Sequence, residues 1–253
     1  FGRGCLTWCM TSALKIARAF KSVRTAVSIS VCCSDRLRNW VVIRLCSARM
    51  AAAVASLTIL LSQKEKLKLK KAIEKGADGV IAVAAGAGGH AGSISPFALV
   101  QEIREWFDGP LLLSGSIATG DGILAAQAMG ADLAYIGSAF IATEEANAEE
   151  AYKQAIVDYS AKDIVYTNLF TGVHGNYLKP SIENAGMDPD NLPESDPSAM
   201  NFASGSNSDA KAWKDIWGCG QGIGAVKSRG PTKDLVERLV REYDEARSRI
   251  LGA

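Results

Sequence analysis

The residue best suited to chemistry in this sequence is His90, within the stretch GAGGHAG at residues 86–92. An imidazole titrates near neutral pH, so it can take up a proton or hold an anion through a hydrogen bond. A lone histidine in a loop more often fills space and bonds a backbone carbonyl, and that structural role is the alternative. The surrounding glycines and alanines leave room beside the ring for a flat ligand, which favours a functional role.

Two further glycine-containing stretches could bind a phosphate close to that histidine. SGSIATGDG opens one predicted helix, and IGSAF precedes another. Glycine lets the backbone approach a ligand closely, and the start of a helix points unpaired N–H groups at an anion. Each stretch alone is a weak signal, but together, at the ends of neighbouring strands, they predict a phosphate site.

The elements that must position these loops alternate regularly from about Lys64 onward. Continuous apolar runs predict strands buried on both faces: ADGVIAVAA, GPLLLSGS and ADLAYIGSAF. Helices are predicted by capping residues and apolar spacing: KEKLKLKKAIEKG, SPFALVQEIREWF and GDGILAAQAMG. This α/β alternation predicts a parallel sheet, and glycine loops at every strand end favour a (β/α)8 TIM barrel over a doubly wound sheet.

The pattern becomes less regular after Thr143. Four more elements are predicted there: a helix in EEANAEEAYKQAIVDYS, a fourth strand in DIVYTNLF, a short helix in HGNYLKPSIENAG and a long amphipathic helix in TKDLVERLVREYDEARSRIL. Residues 187–210 are polar and rich in proline, which predicts a long surface loop.

Residues 1–61 differ in composition from residues 62–253. They hold five of the six cysteines, two of the 24 glycines, none of the seven prolines and one acidic residue, Asp35. We interpret residues 1–61 as an atypical N-terminal segment, either a non-native reading frame or a presequence, and residues 62–253 as a barrel portion with a C-terminal helix. Since a complete barrel needs about 200 to 250 residues, we expect this barrel to be incomplete or atypical in its N-terminal part.

The overall composition excludes several classes of protein. A net charge of +1 and an apolar content of 48% are typical of a globular protein, and they argue against a nucleic-acid partner. No apolar run reaches the 18 or so residues that a membrane span needs. The cysteines lack metal-ligand spacing, so we expect no metal. We expect a cytoplasmic location, and the oligomeric state cannot be predicted.

Three stretches resemble the nitronate monooxygenase family, formerly called 2-nitropropane dioxygenases: GADGVIAVAAGAGGHAG, LLLSGSIATGDGILAAQAMGADLAYIGSAF and GCGQGIGAV. The resemblance covers roughly Lys66 to Tyr243, and the order of its motifs makes it specific. It implies an FMN-dependent barrel enzyme that oxidises alkyl nitronates with O2 to a carbonyl compound and nitrite.

The resemblance also implies roles for individual residues. His90 would be the catalytic histidine beside the flavin and the nitronate. The FMN-binding positions would be Gly88, Gly89, Gly115, Ser116, Ile117, Tyr135, Ile136, Gly137, Ser138, Gly220 and Gln221. Ser116 stands where the family has the middle glycine of a Gly-Gly-Ile turn, which should be tolerated only if that backbone conformation suits a non-glycine residue.

Two other interpretations remain open at this stage. A flavin-dependent enoyl-acyl carrier protein reductase is similar around the GGH and phosphate loops, and it would consume NAD(P)H. The chain could also be an inactive, truncated barrel remnant, because residues 1–61 offer no counterparts to the early flavin contacts of the family. Cys219 lies beside the predicted flavin segment, where we expect a small buried structural residue.

Overall fold

A computed structural model describes residues 77–195 and 215–252, together with Ile73, Glu74 and the backbone of three strands between residues 26 and 60. The strands are β1 Ala26–Cys32, β2 Trp40–Cys46, β3 Leu57–Leu60, β4 Gly79–Val83, β5 Gly89–His90, β6 Leu111–Ser114, β7 Leu133–Ile136, β8 Ile164–Thr167 and β9 Gly175–Leu178. The helices are α1 Pro96–Arg104, α2 Gly120–Ala128, α3 Ser138–Ile141, α4 Glu150–Asp158, α5 Lys179–Asn184 and α6 Thr232–Leu251. Short 3-10 helices span Ala161–Asp163 and Gln221–Ala225.

The larger sheet contains six strands in the order β1-β2-β7-β6-β4-β3. Strands β3, β4, β6 and β7 run parallel, with helical crossovers α1 and α2. Leu111 and Leu113 of β6 pack toward α1, whereas Leu112 packs on the opposite face beside Ile81 and Tyr135. Burial on both faces explains why these strands read as continuous apolar runs. The three strands predicted from those runs are confirmed.

The N-terminal part of this sheet departs from a regular barrel. Strands β1 and β2 form an antiparallel pair, and β2 runs antiparallel to β7. Among the described strands, β1 and β3 are the two edges and do not pair with each other. The described residues therefore form a (β/α)8-type barrel sheet that is left open and is atypical in its N-terminal part, as the sequence predicts.

A second, three-stranded antiparallel sheet has the order β5-β9-β8. The prediction of a strand in DIVYTNLF is confirmed by β8, but β8 does not extend the parallel sheet. Only residues 168–174 separate β8 from β9, and a parallel crossover needs about a dozen residues or more. HGNYLKPSIENAG was predicted to be a short helix, broken or capped near Pro180. A helix is present, but the stretch begins with β9, and α5 starts at Lys179 with Pro180 in its first turn.

Three predicted helices are confirmed by α1, α2 and α6. Helix α4 is shorter than predicted and begins at Glu150. Most of KEKLKLKKAIEKG and the second half of the loop at residues 187–210 lie outside the described residues. In the described part of the chain, no helix is both long enough and apolar enough to cross a bilayer.

Candidate functional site

An open cleft of about 290 Å³, a volume that includes space open to solvent, lies where β4, β6 and β7 end. The carboxyl ends of parallel strands share one edge, so the loops that follow them meet there. The lining residues are Gly86, Ala87, Gly88, Ser114, Gly115, Ser116, Ile117, Ala118, Tyr135, Gly137, Ser138, Gly220 and Gly222. The cleft thus brings together three loops that the sequence predicts to share a rim, and a fourth segment near Gly220.

The Gly86 carbonyl joins three of these segments. It accepts hydrogen bonds from the Ser116 amide at 3.2 Å and from the Gln221 amide at 2.9 Å. A Cβ on Gly88 would lie 2.6 Å from the Gly220 nitrogen, which is closer than Cβ atoms approach backbone. The glycines here are therefore required because backbone packs directly on backbone.

Ser116 is held in a left-handed conformation, with φ of +57°. It is the one non-glycine residue with positive φ in the described part of the chain. From the sequence, a serine at position 116 was expected to be tolerated only if the backbone conformation suits a non-glycine residue. The left-handed conformation is one that favours glycine. A side chain in this region costs about 1–2 kcal/mol. Ser116 Oγ also fills the space above Gly86, where a Cβ would lie 2.0 Å from it.

The donors that face the cleft are neutral. Ser138 Oγ accepts a hydrogen bond from the Gly220 amide at 2.8 Å, and this bond does not use the hydroxyl proton. The amides of Ile117 and Ala118 donate to no acceptor within the described ranges, although Ala118 is buried. No charged side chain is among the described lining residues. Unused N–H and O–H donors in a glycine-rich cradle fit an anion such as a phosphate.

Helix α2 does not point its first amide at an anionic ligand, contrary to the sequence-based expectation. The Gly120 amide donates to Glu242 Oε2 at 2.9 Å, and Thr119 Oγ1 accepts from the Gly122 amide at 3.1 Å. Arg238 holds Glu242 from one turn earlier on α6. The Glu242 carboxylate therefore supplies the negative charge that is favourable at a helix N-terminus.

His90 lies at the rim, two residues beyond Gly88, and is not among the residues lining the cleft. Its Nε2 lies 2.9 Å from Thr171 Oγ1. The single Thr171 hydroxyl proton is donated to the Val173 carbonyl, so Nε2 must carry the proton of the neutral ring and donate to Thr171. Desolvation by burial lowers the pKa of His90 below its usual 6.5, which favours the neutral ring at pH 7.

Eight of the eleven predicted FMN positions line the cleft: Gly88, Gly115, Ser116, Ile117, Tyr135, Gly137, Ser138 and Gly220. The other three do not. Gly89 has φ of +67°, and a Cβ on it would meet no atom within 4 Å, whereas Ile136 is buried in the core. The Gln221 side chain lies next to Gly86, outside the lining set.

The residues at this site that were not among the predicted positions are Asn176 and the lining residues Gly86, Ala87, Ser114, Ala118 and Gly222. Asn176 is 2% exposed, and its Nδ2 donates to the Ala87 carbonyl at 2.7 Å, which holds the glycine loop against β9. Ser114 ends β6, lines the cleft and is 3% exposed. Ser114 opens the stretch SGSIATGDG but was not singled out within it, whereas Asn176 belongs to no predicted site motif and is brought to this edge by the pairing of β9 with β5.

Cys219 is buried beside the same segment. Burial raises the pKa of its thiol to about 12, so the thiolate is scarce at neutral pH. This fits the small structural residue expected from the sequence.

The sequence profile of the nitronate monooxygenase family matches residues 17–242. The match starts inside the predicted N-terminal segment, residues 1–61. A nitronate monooxygenase from Paraburkholderia phytofirmans is 31% identical over 185 residues, covering 68% of this chain and 50% of the relative. The chain therefore spans about half the length of the curated relatives it matches.

Two solved structures are similar in fold. A nitroalkane oxidase from Streptomyces ansochromogenes has a TM-score of 0.58 and 31% identity, with 77% of this chain and 58% of that one covered. FabK from Thermotoga maritima has a TM-score of 0.60 and 25% identity, covering 78% of this chain and 63% of that one.

Proposed function

The chain belongs to the nitronate monooxygenase family, and we propose that it is an FMN-dependent oxidoreductase that oxidises alkyl nitronates with O2 to a carbonyl compound and nitrite. One observation carries the proposal: eight predicted FMN positions, scattered between Gly88 and Gly220, line one cleft at the ends of three parallel strands. The proposed ligands are FMN, a small nitronate and O2. The predicted cytoplasmic location remains a prediction.

The neutral donors of the cleft support a phosphate at the β6 and β7 ends. The Ser138 hydroxyl and the amides of Ile117 and Ala118 would hold the FMN phosphate. With glycines at Gly115 and Gly137, the backbone can approach the ligand without side chains in the way. FMN, when bound, would supply the electron acceptor for the nitronate, with O2 as the final oxidant.

His90 would act at the rim on the substrate. Because Nε2 donates to Thr171, the ring orientation is fixed, and the neutral imidazole would take up a proton from the substrate side. The lowered pKa of His90 keeps the ring neutral at pH 7, so it is ready to accept a proton during turnover. The antiparallel pairing of His90 with Gly175 holds this loop on the second sheet.

A pair of substitutions at Ser138 tests where the phosphate binds. Ser138→Asp places a carboxylate against a phosphate, and FMN affinity should fall at least about tenfold because like charges repel. Ser138→Thr keeps the hydroxyl and should bind FMN about as tightly as the wild type. Flavin fluorescence quenching measures both affinities. Equal FMN affinity in the aspartate variant and the wild type would contradict the placement of the phosphate.

Product analysis separates the proposed reaction from the reductase alternative. The purified chain, loaded with FMN, is supplied with an alkyl nitronate and O2, and nitrite is measured. A parallel reaction contains NADH and an enoyl thioester. Nitrite release supports the proposal, whereas NADH consumption that depends on the thioester would favour the reductase.

A further inference from the structure

Among the buried polar side chains of the described residues, that of Ser114 is the one without a hydrogen-bond partner. These side chains belong to Ser114, Thr143, Lys153, Thr167, Asn176 and Ser181. Five of them have hydrogen-bond partners in the protein. Ser114 Oγ has none within the described part of the chain. Buried hydroxyls nearly always have a partner, so a missing one points to a group that the protein does not itself provide.

The position of Ser114 shows where that partner would lie. Ser114 pairs in register with Val83 and follows Leu112 on the same face of β6, because side chains alternate along a strand. This face also carries Tyr135 of β7 and looks away from the α1 side of the sheet. Ser114 lines the cleft directly before the turn Gly115–Ile117, so it lies beside the proposed phosphate position without being one of its donors.

We propose that the Ser114 hydroxyl binds a hydroxyl group of the ribityl chain that links the phosphate and the ring of a flavin. The inference rests on the proposed function, because it takes the ligand of the cleft to be FMN. The ligand group beside Ser114 must be polar because it satisfies a buried hydroxyl. It must also be distinct from the phosphate, because the proposed phosphate donors are the Ser138 hydroxyl and the amides of Ile117 and Ala118, beside Ser114. Ribityl hydroxyls meet both conditions and lie one short chain away from the phosphate.

Ser181 provides a matched control for Ser114. It is a serine of similar burial, with 1% exposure against 3%. Its Oγ donates to the Leu178 carbonyl at 2.7 Å and accepts from the Trp217 amide at 3.0 Å, outside the lining residues of the cleft. Removing this hydroxyl should destabilise the protein and leave flavin affinity unchanged. Removing the Ser114 hydroxyl should instead weaken flavin binding without destabilising the protein.

The experiment titrates wild type, Ser114→Ala, Ser181→Ala and Ser138→Asp with three flavins. FMN carries a phosphate and a ribityl chain, riboflavin lacks the phosphate, and lumiflavin lacks both. Ser114→Ala should weaken FMN and riboflavin by a similar factor, about 5- to 10-fold, and leave lumiflavin unchanged. Ser138→Asp should weaken FMN only. The melting temperature of flavin-free Ser114→Ala should equal or exceed that of the wild type, whereas that of Ser181→Ala should be lower.

The outcomes separate this inference from the proposed function. If the wild type binds FMN and Ser114→Ala binds it equally well, the hydroxyl does not contact the flavin and the inference is wrong. An equal loss for lumiflavin would also overturn it, because the contact would then be with the ring. A lower melting temperature of flavin-free Ser114→Ala would show that the hydroxyl has a protein partner. If the wild type binds no FMN, the proposed function itself fails.

Discussion

The Ser138 hydroxyl accepts a hydrogen bond from the Gly220 amide at 2.8 Å, across 82 residues of sequence. This bond joins the loop after β7 to the segment that follows residue 215. Both segments were predicted from separate motifs to contact the flavin. Because the two segments are in direct contact, a substitution in one should change the conformation of the other.

Gly88→Ala should lower both stability and FMN affinity. The added Cβ would lie 2.6 Å from the Gly220 nitrogen and 2.8 Å from the Cys219 carbonyl carbon, so the two loops must separate. Overpacking of this kind costs about 1–3 kcal/mol in the free energy of unfolding. Denaturant unfolding and FMN titration measure the two effects.

Gly230→Ala is the control for that substitution. Gly230 also lacks a positive φ, but a Cβ there meets no atom within 4 Å. This variant should unfold and bind FMN like the wild type. If Gly88→Ala and Gly230→Ala behaved alike, the close contact of the two loops would be disproved.

Ser116→Gly should raise the free energy of unfolding by about 0.5–1 kcal/mol. The substitution removes the left-handed strain at φ of +57°, and the greater freedom of glycine in the unfolded chain offsets part of the gain. Urea unfolding of the flavin-free protein measures the difference.

Ser95→Gly provides the comparison for Ser116→Gly. Ser95 has a φ of −54°, and its side chain makes no capping hydrogen bond to α1. The change at Ser95 should therefore destabilise slightly, because no strain is removed. A loss of stability in Ser116→Gly as large as that in Ser95→Gly would contradict the strain assigned to Ser116.

The pH dependence of turnover should report the protonation of His90. Because desolvation lowers the pKa of His90, the neutral ring persists below pH 6.5, and kcat/KM should stay level near pH 7 and fall only in more acidic solution. As the pH falls, the imidazole of His90 is protonated in the unfolded chain before it is protonated in the folded chain. The ring therefore also lowers the stability of the fold below pH 6.5.

His90→Asn should reduce kcat strongly and remove the acid limb of the profile, with little change in FMN affinity. His174→Asn serves as the control at the other histidine and should keep the limb. Steady-state rates between pH 5 and 8 measure both variants. An unchanged kcat in His90→Asn would remove His90 from the mechanism.

Local signals in the sequence were sufficient for much of the fold. Continuous apolar runs identify β4, β6 and β7, capping residues and glycines identify α1 and α2, and the amphipathic pattern identifies α6. The loops between them gather eight predicted residues at one cleft because parallel strands end at the same edge.

The remaining features depend on contacts between distant residues. The β5-β9-β8 sheet pairs Gly89 with Asn176, and no local pattern signals that register. Glu242 reaches the start of α2 from 122 residues away and takes the place expected for a ligand anion. Ser116 has a positive φ because three loops pack together at this point. Its residue type alone would predict a negative φ.

The visible absorption spectrum of the purified chain with added FMN tests the central claim most directly. We expect a bound-flavin spectrum, and we expect it to bleach when an alkyl nitronate is added under anaerobic conditions and to recover when O2 is admitted. A chain that binds no FMN at high flavin concentration, or a bound flavin that the nitronate leaves oxidised, would contradict the proposal.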